Sequence, residues 1–580
     1  MSYQTPHASE SIELGEKSSD LKDTSEVEDI LPTPVLGEET TIQSSKKKRF
    51  LGSGSNLTIR GMKSRHLTFI AIGGTIGTGI FLSAGTSVAT AGAGGALCAY
   101  GLIGIFVYGV VLTLGEMSAL IPGSGAFATY GDRFVSPALG FTLGWNYFLQ
   151  WNLSIPSELI AASVILNYWT QTLQAWQWAL VIIVPVFAFQ LINVRAFGEA
   201  ELWLSSIKVL LIIVFILVGL IYNWGGVIGH PGPGLSNFKD GPFFGGFAGF
   251  AQSFTYAFFS FGGCELVSLA AGETSKPHKS VPRAIKATFF RTLLFYIMTI
   301  LVIGLNINHN DESLFTADSD SSVAASPITV VFKMAGFGGG VHLVNAVLLT
   351  AVLSATNSCF YASSRMLMSL AQRGHAPKVL GYVTSQGVPV PALLVVLAVS
   401  CLSFLATIWG EGVAFRWFIN LTGTSSLLTW ISIAFINLRF RRAWKIQGRD
   451  FLDLPFKAPF SPYLAWVAVI LGALIFAGQG WAATTYDSDT LAQDIVGVYI
   501  GVVLFGGFFI AYWIYHLINF RGLPLFVPAL EADFETGVVW KRGEGAIVRE
   551  QDKEEKMAKE RNAKPIARKW YKLLRLGRPL

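Results

Sequence analysis

Residues 68–89 read TFIAIGGTIGTGIFLSAGTSVA, twenty-two residues without a charge. About 20 such residues carry a helix across the hydrocarbon of a bilayer. The middle of the run, Gly73-Gly74-Thr75-Ile76-Gly77-Thr78-Gly79, holds four glycines in seven positions. Glycine in a transmembrane helix ordinarily lets neighbouring helices approach, but this density exceeds what packing alone requires. A second cluster, Ser260-Phe261-Gly262-Gly263, interrupts another apolar stretch five spans later. Two helices broken at matching places in two halves are the signature of inverted repeats with a binding site near the midplane. Exposed backbone at that depth is tolerated only where it lines a cavity. Freed N–H groups and a half-helix dipole suit a carboxylate, and freed carbonyls suit an ammonium. A zwitterion carries both. Plain glycine packing is the alternative reading of the same residues.

The rest of the chain agrees with a membrane setting. Of 580 residues, 52% are hydrophobic and 14% charged, against roughly 25% charged in soluble domains. A soluble enzyme, a nucleic-acid binder and a disordered scaffold are thereby disfavoured. The apolar residues fall into twelve blocks, near 68–89, 92–121, 138–167, 175–194, 200–223, 246–271, 288–306, 340–370, 391–409, 415–438, 463–483 and 495–518. The expected fold is an all-α polytopic membrane protein, with a twelve-helix domain at 66–520 between tails at 1–65 and 521–580. A short extra helix is allowed around 326–345.

An even number of spans puts both tails on one side. The segment 276–291 carries Lys276, Lys279, Arg283, Lys286 and Arg291, and 439–449 carries Arg439, Arg441, Arg442, Lys445 and Arg449. Both lie on the tail side, whereas the connection at 306–322 holds four acids and no Lys or Arg. The positive-inside rule therefore makes the tails cytosolic. No signal peptide is read at the start, so the first span is expected to direct insertion. The N-terminal tail has the composition of disorder. Residues 561–580 hold seven Lys or Arg and no acid among Ile566, Trp570, Leu573 and Leu576. They fit an amphipathic helix on anionic lipid or a disordered basic tail. Cys98, Cys264, Cys359 and Cys401 lack metal or disulfide spacing and read as small core residues. Asn152 and Asn420 head glycosylation-type triplets but lie within spans.

Five motifs together resemble the fungal amino-acid permeases, the yeast branch of the amino acid–polyamine–organocation superfamily. They are GGTIGTGIF (73–81), GEM (115–117), PGSGAFATYGDRF (122–134), ELVSLAAGE (265–273) and KSVPRAI (279–285). The resemblance runs over about residues 60–520. It implies two inverted five-helix repeats plus two helices, with spans 1 and 6 broken. It also implies proton-coupled amino-acid uptake at the plasma membrane, with ubiquitin-ligase machinery acting on the cytosolic tails. On this resemblance the substrate backbone is held by Thr75, Ile76, Gly77, Thr78 and Gly79 of span 1. The carbonyls of Phe258, Phe259 and Phe261, beside Gly262, serve from span 6, and Phe259 lies over the site as a lid. SSIKV (205–209) places Lys208 where proton-coupled relatives keep a lysine. No cofactor, metal, nucleic acid or enzymatic chemistry is expected; the partners are an amino acid, a proton and membrane lipid.

A charge inside a span is costly and points to function by default. Lys208 lies deep in span 5 and reads as a proton-coupling group or as a charged brace between helices. Glu265, just after the span 6 glycines, reads as a proton carrier, a contact for the substrate amine, or a hydrogen-bond partner of the break. Glu158, mid-span in SIPSELIAAS, is a proton site or a partner of Lys208. Glu116, ending span 2, is expected to pair with Arg133 or Arg283 as a gate. Arg365 and Arg416 are expected to snorkel to an interface. The run NSCFYASSR (357–365) suits ion or substrate contacts, or close packing. WNYFLQWNLSIPSEL (145–159) looks closer to broad-range and neutral permeases than to basic-specific ones, chiefly at Gln150 and Pro156. A basic-amino-acid permease, a non-transporting sensor on the same fold and, more remotely, a channel are the alternatives.

Overall fold

The computed structural model describes residues 64–73, 76–123, 125–170, 172–192, 194–227, 229–274, 276–290, 295–311, 314, 326–485, 491–519 and 524–561. The expectations for residues 1–63, Thr75 and the basic stretch 562–580 lie outside them. Apart from isolated bridges such as Val227 to His230, the regular structure among the described residues is helical.

Eight of these helices are long and apolar enough to cross a membrane. Counted as passes, the helices make twelve. Helix Ser64–Gly73 begins span 1, and a π turn at Gly79–Ser83 leads into helix Ala84–Leu120. That long helix contains a reversal. Gly92 has φ +75°, in the left-handed region, and a Cβ there would lie 2.6 Å from the carbonyl oxygen of Gly241. Only glycine fits, so span 1 ends and span 2 begins at that residue. Span 3 (Pro137–Asn167) starts where the Ser136 hydroxyl accepts from the Leu139 N–H at 3.1 Å, with proline in the first turn, the arrangement that satisfies a helix start. Spans 4 and 5 are Ala175–Gln190 and Val194–Asn223. Span 6 is Gly246–Phe261 followed, after a break, by Leu266–Ala271. Helix Pro277–Phe290 carries the basic tail-side segment, and span 7 follows it with Met298–Asn306. A short helix, Pro327–Met334, then precedes span 8, Val341–Gln372. Span 9 runs through Val390–Ser400 and Ala406–Trp409. Spans 10, 11 and 12 are Glu411–Ile446, Tyr463–Ala483 and Leu491–Asn519.

Span 3 lies along spans 8 and 10, and span 2 lies along span 6. Large apolar side chains of these elements form one continuous core. Span 12 by contrast turns Val503, Ile510 and Ile514 outward, as a helix facing lipid does. Cys98 and Cys401 are also exposed, which corrects their reading as core residues, while Cys264 and Cys359 are buried.

Past span 12, residues 524–561 pack back onto one end of the bundle. The Val527 N–H donates to the Val135 carbonyl at 2.8 Å, and the Val539 N–H donates to the Leu120 carbonyl at 2.9 Å. The Phe534 ring stacks on Phe134 and meets Trp444 edge-on, both at 5.0 Å between centroids. Gln447 Nε2 donates to the Ala532 carbonyl at 2.8 Å, and Lys279 Nζ lies 2.6 Å from Asp552 Oδ1 of helix Glu544–Arg561.

Glu116 sits at this same end, fully buried, and its partner is Arg441 of span 10 rather than Arg133 or Arg283. Arg441 Nη2 donates to Oε1 at 2.7 Å and Nε to Oε2 at 2.9 Å, while Asn437 Nδ2 adds a third bond at 3.0 Å. The planar guanidinium matches the carboxylate two-fold. Arg133 instead donates to the Thr536 carbonyl at 2.6 Å. Arg365 corrects a second expectation. It does not snorkel but is buried, its Nε 3.3 Å from Glu273 Oε1 and its guanidinium 4.5 Å over the Tyr361 ring. Removing one partner of a buried ion pair strands the other charge. Arg441→Ala is therefore expected to destabilise the protein by about 3–5 kcal/mol, read as a lower melting temperature of the purified protein in detergent. An unchanged melting temperature would show that Asn437 alone satisfies Glu116.

Candidate functional site

Where the two glycine clusters meet, the helices separate. In span 1, Ile76 and Gly77 leave the helical conformation between Gly73 and Thr78. In span 6, Gly262 takes φ −46°, ψ 141° and Gly263 takes φ +88°, so the helix stops after Phe261 and restarts at Leu266. The two breaks lie close together. A Cβ on Gly79 would come within 2.5 Å of the Ser260 Cα, and one on Gly77 within 2.7 Å of both Ala355 Cβ and Glu158 Oε1. Gly77 and Gly79 are thus required by close approach.

A cavity opens beside the breaks. Its unfilled volume is about 470 Å³, the space at its mouth included. Five spans line it. Gly77 and Gly79 come from span 1, and Phe259 and Gly262 from span 6. Span 3 contributes Gln150, Trp151, Ser154 and Glu158, span 8 Ala355 and Cys359, and span 10 Thr422 and Ser426. The spacings of four along spans 3, 8 and 10 put each set on one helix face. The lining mixes neutral polar groups with Trp151, Phe259 and small apolar residues, and Glu158 is its carboxylate.

Glu158 accepts a hydrogen bond from the Thr78 hydroxyl at 3.0 Å through Oε1. Its Oε2 and the Gln150 Oε1 are buried with no hydrogen-bond partner among the described residues. Buried polar atoms are nearly always paired. Two orphaned acceptors beside one cavity therefore mark where a polar ligand or water completes the site.

The other residues singled out in the sequence fall in three places. Ile76 is buried in the core. Phe258 and Phe261 turn their rings into it, Phe258 against Trp430 at 5.6 Å and Phe261 stacked on Tyr296 at 4.4 Å. Their backbone carbonyls are engaged locally. The Gly262 N–H donates to both Phe258 O (3.0 Å) and Phe259 O (3.2 Å), and the Cys264 S–H donates to Phe261 O at 3.0 Å. Each carbonyl retains a second lone pair. Phe259 is half-buried and lines the cavity, edge-on to Phe415 at 6.5 Å. Glu265 Oε2 accepts from Trp430 Nε1 at 3.0 Å, outside the cavity lining.

Lys208 is completely buried in span 5, and its Nζ lies 3.5 Å from Glu201 Oε1. Glu158 instead takes its bond from Thr78. Glu201 and Glu273 are buried charges that the sequence reading passed over, and Arg441, read there only as part of a basic connection, is a third. Glu201 was accessible to that reading, because an acid seven residues before a buried lysine lies on the same helix face. Thr422 and Ser426 carried no comparable local signal.

Comparison with known proteins agrees with this architecture. The amino acid permease family matches residues 66–521. The lysine-specific permease LysP of Escherichia coli is 42% identical over 449 residues, covering 77% of this chain and 91% of that protein. The general amino-acid permease GAP2 of Candida albicans is 37% identical over 505 residues, 87% of this chain and 85% of that one. GAP1 of Saccharomyces cerevisiae, also named a general amino-acid permease, is 37% identical over 489 residues, 82% and 80% of the two chains. These relatives are transporters, not enzymes. The chain belongs to the amino acid permease family and is a multi-pass membrane protein of amino-acid transport.

Proposed function

We propose that this protein imports amino acids across the plasma membrane, coupled to protons, by alternating access around the broken spans 1 and 6. Its tails face the cytosol, as the distribution of Lys and Arg between loops favours. The observation that carries the reading is the cavity at the two breaks, where Glu158 and Gln150 present unpaired acceptors between Gly77, Gly79 and Gly262.

The substrate carboxylate is assigned to backbone N–H groups of Ile76, Gly77, Thr78 and Gly79 at the span 1 break, which the half-helix dipole favours. Its ammonium is assigned to the remaining lone pairs of the Phe258, Phe259 and Phe261 carbonyls, beside Gly262. Phe259 covers the bound substrate, and Gln150, Ser154, Thr422 and Ser426 face its side chain. This neutral lining supports a broad or neutral range. A basic range is the second reading, favoured by the lone carboxylate of Glu158 in the lining and by the lysine-specific name of the E. coli relative. Lys208 and Glu158 carry the coupling proton, with Glu265 behind the span 6 break. The Glu116–Arg441 pair is the inner gate. Membrane lipid surrounds the spans, and ubiquitin-ligase machinery acts on the tails.

The experiment is uptake of a panel of labelled amino acids by cells lacking their own permeases, with and without a protonophore. Protonophore-sensitive accumulation is expected, and the ranking of substrates separates the neutral from the basic range. Accumulation indifferent to the protonophore would remove the coupling. Lys208→Ala is expected to abolish accumulation while leaving substrate binding; full concentrative uptake by it would sink the role of Lys208. Gly77→Val pushes a side chain against Ala355 and Glu158 and is expected to raise KM steeply. A wild-type KM in that variant would move the site away from the span 1 break.

A further inference from the structure

Glu201 is completely buried, yet it does not line the cavity. It lies on span 5, four residues before Ser205 and seven before Lys208, so all three share one face of the helix. Across from it, span 8 presents Ser354 and Ser358. The Ser354 hydroxyl lies 2.7 Å from Oε1 and 2.8 Å from Oε2, the Ser205 hydroxyl donates to Oε1 at 3.0 Å, and Ser358 Oγ is 3.5 Å from Oε2. Lys208 Nζ stands 3.5 Å from Oε1. Charge-assisted N–H···O bonds usually close to about 2.7–2.9 Å. The carboxylate is therefore held tightly by neutral hydroxyls and loosely by the ammonium.

We propose that Glu201 is a positioning residue for proton coupling, a fixed counter-charge for Lys208 that stays satisfied whether or not Lys208 carries its proton. The inference rests on the coupling role proposed above for Lys208. A buried carboxylate whose main bond is to an ammonium is stranded when that ammonium becomes neutral, and stranding a buried charge is costly. Here the serines keep the anion bonded throughout. Lys208 can release its proton, becoming a neutral amine, without uncovering Glu201. Ser354 and Ser358 also tie span 5 to span 8. The residues that follow two of them, Ala355 and Cys359, line the cavity, so the counter-charge sits directly behind the wall of the site.

Replacing Glu201 by Gln keeps one acceptor oxygen and a similar shape and removes the charge; the second oxygen becomes an amide donor, which the Ser354 or Ser358 hydroxyl can meet by accepting. The test uses the full chain in proteoliposomes with tritiated L-alanine and L-lysine as probes. Two quantities are read: exchange without a gradient, and accumulation under an inward proton gradient. Glu201→Gln is expected to keep exchange within about twofold and to lower accumulation about tenfold or more, and Glu201→Asp is expected to restore part of it. Accumulation equal to wild type overturns the proposal. So does an equal loss of exchange and accumulation in a folded protein, which would make Glu201 a brace only. Ser354→Ala is the second variant should Glu201→Gln fail to fold. It keeps the charge and removes the shortest donor, and it is expected to lower accumulation more than exchange; an equal effect on both overturns the proposal. Failure of the underlying coupling reading has its own signature, a wild type that exchanges but does not accumulate under the gradient.

Discussion

Inside a hydrocarbon layer, a backbone N–H or C=O that leaves its helix finds no water, and leaving it unpaired costs several kcal/mol. The helices of this protein obey that constraint along nearly their whole length. They depart from it together, at 76–77 and at 262–265, and the cavity lies beside both departures. Gly79 crosses the Ser260 backbone so closely that no side chain fits between them. One break alone would be a defect in a span. Two in contact, with span 3 behind them, make a polar chamber in an apolar slab.

Charge is handled by the same rule. Glu116 faces Arg441, Glu273 faces Arg365, and Glu201 faces Lys208, all between spans rather than toward lipid. These pairs are not strong evidence for stability, because desolvation offsets much of their attraction. Their value lies in registration: Glu116–Arg441 and Glu273–Arg365 each fix two separate parts of the chain side by side at one height, whereas Glu201 and Lys208 share span 5 and Ser354 ties that carboxylate to span 8. Glu158 differs. Its bond is to the Thr78 hydroxyl, a neutral group next to the span 1 break, so one of its oxygens is left for the chamber.

Much of this was legible in the chain, for identifiable reasons. Apolar length marks a span locally, so the passes could be placed without knowing their neighbours. Glycine density marks a break locally too, and Gly77, Gly79, Phe259, Gly262 and Glu158 do line one cavity. Partnerships were not legible. Glu116 and Arg441 are separated by 325 positions, and nothing near either one distinguishes that pairing from one with Arg133. Arg365 looked like an interface residue because its helix continues to the end of the bundle, but Glu273 holds it inside. Thr422 and Ser426 resemble any small polar pair in a span until span 10 is placed against spans 3 and 6. The docking of residues 524–561 was hidden for another reason. Its bonds use main-chain groups and scattered aromatics such as Phe534, which leave no periodic trace.

That docked segment bears on how the molecule is made. Chains leave the ribosome from the N-terminus, and their early portions begin to fold first. Here the end of span 2 at Leu120 and the residue before span 3's cap, Val135, receive hydrogen bonds from Val539 and Val527, which are synthesised some four hundred positions later. The ring of Phe134 waits for Phe534 in the same way. One end of the bundle is therefore unfinished throughout translation and is closed by the segment that follows the last span. A product that stops after span 12 retains every pass but leaves that end open, giving quality-control machinery a physical difference between a complete chain and a nearly complete one.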